Sequence, residues 1–264
     1  MLITLLTDFG AADYFVAAMK GVILSVNPEA RIVDITHEIP PQDILSGAFT
    51  LSAARQTFPT ETIHVAVVDP GVGSARRPLL VSAGGQFFIG PDNGLFSFIY
   101  ENEADARVFH LTSEEYFRQP VSTTFHGRDV FAPVAAALSK GTRPEQLGTE
   151  IKDYVRLDNL KPRPTGKGSF EASVLHIDRF GNCITNLTSE HLPEEHLARG
   201  LRLKINGREI TSFRRYFAEG GEKDAELFAI FGSAGYLEIA AFRASAAQLL
   251  NARRGQIITV TSDK

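Results

Sequence analysis

The sequence predicts an α/β protein of two domains, with an N-terminal, mostly parallel α/β sandwich and a smaller C-terminal antiparallel β-barrel. In the first half, short apolar runs alternate with stretches whose apolar residues recur at helical spacing, which is typical of a parallel sheet covered by helices. Further on, short alternating strands follow one another with turn signals between them. The stretch KPRPTGKGS between them contains prolines and glycines and indicates a boundary. We therefore divide the chain into an α/β domain at 1–160, a linker at 161–169 and a β-barrel domain at 170–264.

The first domain opens with LITLL (2–6), an apolar run typical of a strand covered on both faces. A helix follows, and we expect Asp13 to cap it and Asn27-Pro28 to end it. The later elements are predicted from the same patterns: strands at 30–36, 62–69 and 107–112, helices at 42–58, 95–101 and 129–141, and a hairpin around Gly84-Gly85. In the second domain we predict strands within 169–178, 201–207, 226–242 and 255–262, with Asn206-Gly207 as a hairpin turn.

Composition narrows the classes of function and the compartment. The net charge of -4 and the pI near 6.0 argue against a broad nucleic-acid or acidic-membrane surface. The single cysteine, Cys183, excludes an intrachain disulfide and a cysteine metal cluster, and it fits a reducing compartment. The first residues are typical of a strand and not of a signal peptide, and no stretch is long and apolar enough to span a bilayer. We expect a cytoplasmic protein that binds neither nucleic acid nor membrane.

Carboxylates follow several of the predicted strands, at the edge where open α/β sheets bind ligands. Asp8, Asp34 and Asp69 follow strands of the first domain, and Asp178 follows one of the second. An aspartate at such a position is often only a helix cap or part of a turn. We assign that structural role to Asp34, and also to His37, which lies close behind it. Asp8 is a stronger candidate for function, because Asp13 is better placed to cap the helix.

The loop TTFHGRDVFAPV (123–134) is a second candidate. In a purely structural interpretation, Asp129 caps the following helix and Arg128 pairs with a carboxylate, which leaves His126 to be explained. A histidine at the mouth of a helix beside a glycine is exposed enough to act in catalysis. The spacing does not favour a zinc site or a Ser-His-Asp triad. Gly71 and Gly73 fail as a dinucleotide fingerprint, because Arg76 stands where the phosphate-binding helix would begin.

Five stretches together resemble one known family. They are TDFG (7–10), VVDPGVGS (67–74), TFHGRDVFAP (124–133), DRFGNCITN (178–186) and FGSAGYLEIA (231–240). The set resembles the S-adenosyl-L-methionine (SAM) hydroxide adenosyltransferases, or SAM hydrolases, of the superfamily that includes the SAM-dependent fluorinase and chlorinase. The resemblance implies hydrolysis of SAM to adenosine and L-methionine, with SAM as substrate and with no cofactor or metal. It also implies a homotrimer whose active sites lie between the N-terminal domain of one subunit and the C-terminal domain of its neighbour.

The resemblance also implies a role for individual residues. The catalytic set is Asp69, Arg76 and His126. The substrate-binding set is Asp8 for the ribose diol, Asp13, Asp178 and Ser233 for the methionine portion, Phe180 and Asn182 for adenine, Tyr236 and Glu238 as further contacts, and Ala246 through its backbone. Ser245 departs from the pattern, because many relatives have an asparagine there.

The chemistry fits this set of residues. Methionine leaves as a neutral thioether, so no acid is needed to protonate the leaving group, in contrast to a glycosidase. The site must align one water molecule and strengthen it as a nucleophile. The sequence leaves open which of the three catalytic residues takes the proton. Two alternatives also stay open: a halogenase of the same superfamily, and a sensor that binds SAM or adenosine without turnover.

Overall fold

In the computed structural model, the chain forms two compact units, Met1–Leu157 and Asp158–Lys264. The structure describes residues 1–158, 160–166, 169–192, 200–220 and 224–262. None of the helices within these ranges is long and apolar enough to cross a membrane.

The first unit is built on a seven-stranded sheet. Its strands are β1 (Leu2–Thr7), β2 (Arg31–Thr36), β3 (Ile63–Val67), β4 (Pro78–Ala83), β5 (Gln86–Pro91), β6 (Arg107–Leu111) and β7 (Gly148–Ile151). The strand order is β2-β1-β3-β5-β4-β6-β7, with parallel pairing from β2 to β5 and antiparallel pairing from β5 to β7. The predicted α/β class and the hairpin around Gly84-Gly85 are confirmed, and the sheet is mixed because this hairpin inserts β4 between β5 and β6.

Helices cover this sheet. They are α1 (Phe15–Val26), α2 (Ile44–Arg55), α3 (Ser97–Asn102), α4 (Ala132–Ser139) and α5 (Pro144–Leu147), with a 3-10 turn at Glu114–Tyr116 and a π-helical turn at Gly127–Phe131. One core joins α1 and α4 to β1 and β3, and all five residues of β3 are buried. A strand buried on both faces cannot alternate, which explains its continuous apolar run.

The predicted cap of α1 is wrong. Tyr14 occupies the N-cap position and its side chain makes no capping hydrogen bond, while Asp13 is exposed in the preceding segment. By contrast, Asp43 caps α2 and accepts a hydrogen bond from Ser46 N at 2.9 Å. The carboxylate of Asp13 is therefore not used by the helix.

Within its described residues, the second unit forms a nine-stranded sheet that is antiparallel except at one pair. Its strands are β8 (Arg163–Gly166), β9 (Ser169–Ile177), β10 (Cys183–Thr188), β11 (Leu201–Ile205), β12 (Arg208–Ile210), β13 (Phe213–Arg214), β14 (Leu227–Phe231), β15 (Tyr236–Ala241) and β16 (Ile257–Ser262), with helix α6 at Ala246–Leu250. The order is β12-β11-β16-β9-β10-β15-β14-β13, and β12 also contacts β14, so the sheet curls. Asn206-Gly207 forms the predicted hairpin turn between β11 and β12, and both residues have positive φ.

The segment predicted as a linker, 161–169, takes part in this sheet. Strand β8 pairs with β9, with Arg163 opposite Glu171. Pro164 lacks an N–H donor, and β8, which pairs only with β9 among the described residues, is an edge strand of the kind that tolerates proline. Residues 167 and 168 of the segment lie outside the described residues.

Candidate active site

The structure joins Asp69, Arg76 and His126 through hydrogen bonds. Arg76 Nε donates to both carboxylate oxygens of Asp69, at 2.9 and 3.0 Å, and Arg76 Nη2 donates to Asp69 Oδ2 as well. The same Nη2 lies 2.7 Å from His126 Nδ1. The side chains of Arg76 and Asp69 are only 8% and 5% exposed. Arginine always carries its protons, so His126 Nδ1 must be the acceptor.

A tight loop brings Arg76 back to Asp69. Asp69 follows β3, and the loop turns through hydrogen bonds from Val72 N to Asp69 O and from Ser74 N to Gly71 O. Gly73 has a φ of +76°, and a Cβ at this position would lie 2.2 Å from the carbonyl oxygen of Thr123. Only glycine fits this conformation and this approach without displacing the neighbouring backbone.

His126 is held as a neutral donor. Its burial and the positive charge of Arg76 lower the pKa of His126, against the opposing effect of Asp69 and Asp129. In the neutral ring one nitrogen accepts and the other donates. Because Nδ1 accepts from Arg76, Nε2 carries the hydrogen and presents a donor.

Arg76 keeps one further donor. Its Nη1 is buried and has no hydrogen-bond partner among the residues that the structure describes, while the guanidinium lies 5.4 Å from the ring centre of Phe131. A buried N–H without a partner is costly, which indicates a place for an oxygen or an anion of a ligand.

Asp8 and an aromatic cluster lie in the same unit. Thr7 of β1 pairs with Val67 of β3, so Asp8 and Asp69 follow neighbouring strands at one edge of the sheet. Asp8 Oδ2 accepts a hydrogen bond from Gln42 N at 2.8 Å. Three phenylalanine rings form the cluster, with centres 5.2 to 5.9 Å apart: Phe9, Phe15 and Phe125. Phe125 directly precedes His126, so the cluster gives the candidate catalytic group an apolar neighbour.

The contacts of Asp34, His37 and Asp129 test the structural roles that the sequence analysis gave them. Asp34 lies within β2 and accepts from Lys20 Nζ at 2.6 Å, so its predicted role as a helix cap or turn residue is wrong. His37 Nδ1 bonds the Thr7 hydroxyl at 2.9 Å. Asp129 does not cap a helix. It is a fully buried acceptor inside the π-helical turn and is paired with Arg128.

In the second unit, Asp178 organises the turn that carries the predicted adenine contacts. Its Oδ1 accepts hydrogen bonds from Phe180 N at 2.9 Å and Asn182 N at 2.8 Å, and its Oδ2 accepts from Asn182 Nδ2 at 2.9 Å. The amide nitrogen of Asn182 is thus engaged, which leaves its Oδ1 to accept from a ligand. The ring of Phe180 projects from the turn and is 78% exposed.

This turn is fastened to the start of α6. Gly181 O accepts from Ala247 N at 2.9 Å, and Ser245 caps the helix by accepting from Gln248 N at 3.2 Å. Gly181 has a φ of +85°, and a Cβ there would lie 2.1 Å from Ser245 Oγ. Ser245, which stands where many relatives have an asparagine, thus places its helix-capping hydroxyl next to Gly181.

A cavity of about 540 Å³ opens beside the same turn. Its lining includes Phe180, Asn182, Phe217, Arg243, Ala244 and Ser245. Aromatic rings together with the amide oxygen of Asn182 suit a planar base that carries an amino group. Ala246 is fully buried and is not part of this lining, so its backbone contact stays a prediction.

The hairpin between β14 and β15 carries the remaining predicted residues. Ser233 is exposed in the turn, while Tyr236 and Glu238 are half-buried on the same face of β15. Burial raises the pKa of Tyr236. Burial and the negative charge of Asp178 raise the pKa of Glu238. Glu238 pairs with Ile184 of β10, so the hairpin lies beside the strand that follows the Asp178 turn.

Family models match both units of the chain. Residues 3–148 match the SAM hydroxide adenosyltransferase N-terminal domain, and residues 172–259 match the SAM hydroxide adenosyltransferase C-terminal domain. The chain belongs to the SAM hydroxide adenosyltransferase family. All five stretches that carried the resemblance lie inside the two matched regions.

Individual relatives agree with this family. The chain is 38% identical to an (R)-S-adenosyl-L-methionine hydrolase of Methanocaldococcus jannaschii, over 95% of this chain and 92% of that protein. It is 27% identical to a fluorinase of Nocardia brasiliensis, over 98% and 96% of the two chains. The crystal structure of a conserved protein from Thermotoga maritima superposes with a TM-score of 0.90 at 32% identity and covers 99% of this chain and 100% of that one.

Two cavity residues of this SAM hydroxide adenosyltransferase family member were missed by the sequence analysis. Phe217 lies in an irregular segment after β13 and is 47% exposed, and Arg243 has a φ of +52°. Neither belongs to the motifs that carry the family resemblance. An exposed aromatic residue in a loop was the one available signal for Phe217, whereas the position of Arg243 follows only from the fold.

Proposed function

We propose that the protein hydrolyses SAM to adenosine and L-methionine by attack of water on ribose C5′. The observation that carries the proposal is the hydrogen-bonded group of Asp69, Arg76 and His126, with Arg76 Nη1 and His126 Nε2 left as donors. Relatives named as (R)-S-adenosyl-L-methionine hydrolases, at 38% identity over nearly the whole chain, support it.

The tautomer of His126 indicates which residue takes the proton. Its Nε2 already carries a hydrogen while Nδ1 is bonded to Arg76, so the imidazole has no free lone pair for a proton of the water. Asp69 therefore accepts it. As the water oxygen bonds to C5′, the C5′–S bond breaks, its electron pair stays on sulfur, and the proton passes to Asp69. Arg76 Nη1 and His126 Nε2 stabilise the charge on the attacking oxygen.

The surroundings favour this reaction. The sulfonium loses its positive charge as the Asp69 carboxylate loses its negative charge to the proton of the water, so the transition state is less polar than the reactants. A site with little water then favours the reaction, because water stabilises separated charges more. The rings of Phe9, Phe15 and Phe125 supply apolar surface next to His126.

The other polar residues bind the substrate in this proposal. Asn182 Oδ1 accepts from the amino group of adenine and Phe180 stacks on the base. Asp8 binds the ribose diol. The acidic residues Asp13, Asp178 and Glu238, together with Ser233 and Tyr236, lie against the methionine portion, whose ammonium group is a cation.

We further propose that the protein prefers the R configuration at the sulfonium. Support comes from the relatives, which are named for (R)-SAM. Both epimers carry the same functional groups and differ only in configuration at sulfur. A preference for one of them is therefore measured as a difference between their kcat/KM values. Kinetics with each purified epimer measure it, and equal kcat/KM values would overturn it.

A labelling experiment tests the reaction. Incubation with SAM in H₂¹⁸O, followed by mass spectrometry, should give adenosine and methionine in equal amounts with the label on the 5′ oxygen of adenosine. Label on a methionine-derived product would place the attack elsewhere, and binding without products would indicate a sensor. A parallel reaction with chloride should yield no 5′-chloro product, and pretreatment with EDTA should leave the rate unchanged, because the mechanism needs no metal.

The assembly and location implied by the resemblance belong to the same proposal. We expect a cytoplasmic homotrimer in which the Asp69 group of one subunit faces the base cavity of its neighbour. A His126→Ala variant and an Asn182→Ala variant would each be inactive alone. Mixed and reassembled, they should regain activity, since some interfaces combine two intact halves. Mixtures that stay inactive, although they exchange subunits, would contradict the shared site.

A further inference from the structure

Asp129 is a buried carboxylate that the proposed reaction does not use. It has no exposed surface, and it accepts hydrogen bonds from Arg128 Nε at 2.7 Å and Arg128 Nη2 at 2.8 Å. Ser122 N donates to it at 2.9 Å and Arg118 Nη1 at 3.3 Å. Burial acts to raise the pKa of Asp129, but these donors outweigh it and hold the pKa below its usual range. The group is therefore a charged anchor that fixes the segments carrying its donors.

Two segments meet at this anchor. One is the loop 118–124, whose Arg118 N also donates to Asp129 O at 2.8 Å. The other is the π-helical turn Gly127–Phe131, which begins directly after His126. Such turns are rare and recur at functional sites. The direction in which the chain enters the turn sets the position of the His126 ring.

The loop 118–124 also supports Arg76. The carbonyl oxygen of Thr123 packs against Gly73, where a Cβ would lie 2.2 Å away. Gly73 belongs to the loop that returns Arg76 to Asp69. One loop therefore abuts the backbone that carries Arg76 and leads directly into His126.

We propose that Asp129 is a positioning residue, which ties the loop 118–124 to the π-helical turn and so keeps Arg76 Nη2 within hydrogen-bonding distance of His126 Nδ1. Asp129 is fully buried, and in the proposed reaction it contacts neither the substrate nor the attacking water. It acts by fixing the tautomer and the placement of His126. The kinetic part of this inference rests on the hydrolysis proposed above, whereas the tautomer can be measured without any reaction.

The test replaces Asp129 by asparagine, which leaves two arginines with a single carbonyl acceptor. We expect kcat to fall about 100-fold, the cost typical of a displacement near 1 Å at a reacting centre, with little change in KM. A variant that only lost stability would show the wild-type kcat for its folded fraction. A wild-type kcat in folded Asp129→Asn would overturn the proposal.

Nitrogen NMR of ¹⁵N-histidine-labelled protein provides the second readout. The signal of His126, one of seven histidines, is identified by its loss in His126→Gln. We expect a single Nε2–H tautomer in the wild type and a mixture of tautomers in Asp129→Asn. An unchanged tautomer would refute the positioning role. If the wild type releases no adenosine, the hydrolysis proposal fails and this arm alone decides about Asp129.

Two further variants complete the design. Glu103→Gln alters another carboxylate that pairs with a buried arginine, since Arg55 Nη2 donates to Glu103 at 2.5 Å. Glu103 packs against Gly84, which precedes β5. Asp69 follows β3, and β3 and β5 run parallel, so Glu103 and Asp69 lie at opposite edges of the sheet. Glu103→Gln should therefore change neither kcat nor the tautomer of His126. Should Asp129→Asn fail to fold, Arg118→Gln removes one exposed donor and should lower kcat in the same direction by a smaller factor. No reduction in that variant would then contradict the proposal.

Discussion

Substitution of Gly181 by alanine should weaken binding of the base without touching any group that contacts it. The new Cβ would lie 2.1 Å from Ser245 Oγ and 2.6 Å from Ser245 Cβ, at a φ of +85°. Since both contacts are far inside van der Waals distance, the turn must move away from α6. That movement displaces Phe180 and Asn182 from the cavity wall.

The magnitude follows from the contacts that are lost. A left-handed conformation costs alanine roughly 1–2 kcal/mol. Displacement also breaks the hydrogen bond from Ala247 N to Gly181 O, which contributes about 0.5–1.5 kcal/mol. If the turn relaxes in the free protein, restoring its binding geometry costs about 2 kcal/mol, which corresponds to a loss of about 30-fold in affinity.

Calorimetric titration with adenosine measures this loss of affinity. A second glycine with a similar φ serves as the control that separates backbone strain from the steric clash with Ser245. Gly207 has a similar φ of +78° in the β11–β12 turn, but no atom of the described residues lies within 4 Å of a Cβ there. Gly207→Ala should therefore lower the melting temperature and leave adenosine affinity unchanged. Adding Ser245→Gly to Gly181→Ala should recover part of the affinity. Wild-type affinity in a folded Gly181→Ala protein would refute the assigned role of the turn.

Three further predictions concern the first unit. Arg76→Lys keeps the charge but loses the planar fork that bonds both carboxylate oxygens and reaches the imidazole, so kcat should fall about 100- to 1,000-fold in single-turnover assays, and a smaller loss would argue against the donor role. In a pH series, kcat should fall once the pH drops below the lowered pKa of His126, because a proton on Nδ1 removes the acceptor for Arg76 and places two positive charges side by side. An activity that rises in that acidic range would contradict the neutral tautomer. Burial lowers the pKa of His64 to about 4, so the neutral form is favoured in the folded state and stability is lost as pH falls from about 6.5 through about 4. Urea unfolding should show a loss of about 2 kcal/mol between pH 7 and pH 5 that is absent in His64→Phe, and equal pH dependence in both proteins would contradict it.

The sequence predicted those features that depend on local pattern. The runs at β1 and β3 are apolar because both faces are covered, and the carboxylates that follow them fall at one edge of the sheet. The motif around Asp69 predicted its partners through the family resemblance, and the structure joins the three catalytic candidates by hydrogen bonds. Each apolar run and each motif consists of residues that are close in sequence, although the partners that they bring together are not.

Features that depend on tertiary contacts escaped the sequence analysis. Strand β7 was not predicted, because this edge strand is exposed at its two central residues and lacks the alternation of a half-buried strand. Asp13 was expected to cap α1, but capping depends on backbone geometry that composition does not reveal. Asp129 was interpreted as a cap, and its arginine partners and complete burial follow only from the folded loop. Phe217 and Arg243 reach the cavity wall from separate parts of the second unit.

The place of Arg76 between a carboxylate and an imidazole has a consequence for the catalytic cycle. Arginine stays protonated, so it insulates its two neighbours from each other, and no proton passes between them. In the proposed reaction, the proton that Asp69 gains in each turnover must leave to bulk solvent from a side chain that is only 5% exposed. Regeneration of the carboxylate is thus a separate step, whose rate depends on buffer and on opening of the pocket and not on the concentration of SAM. Regeneration of the carboxylate would be recognised by a solvent isotope effect on steady-state turnover that is absent from the first turnover.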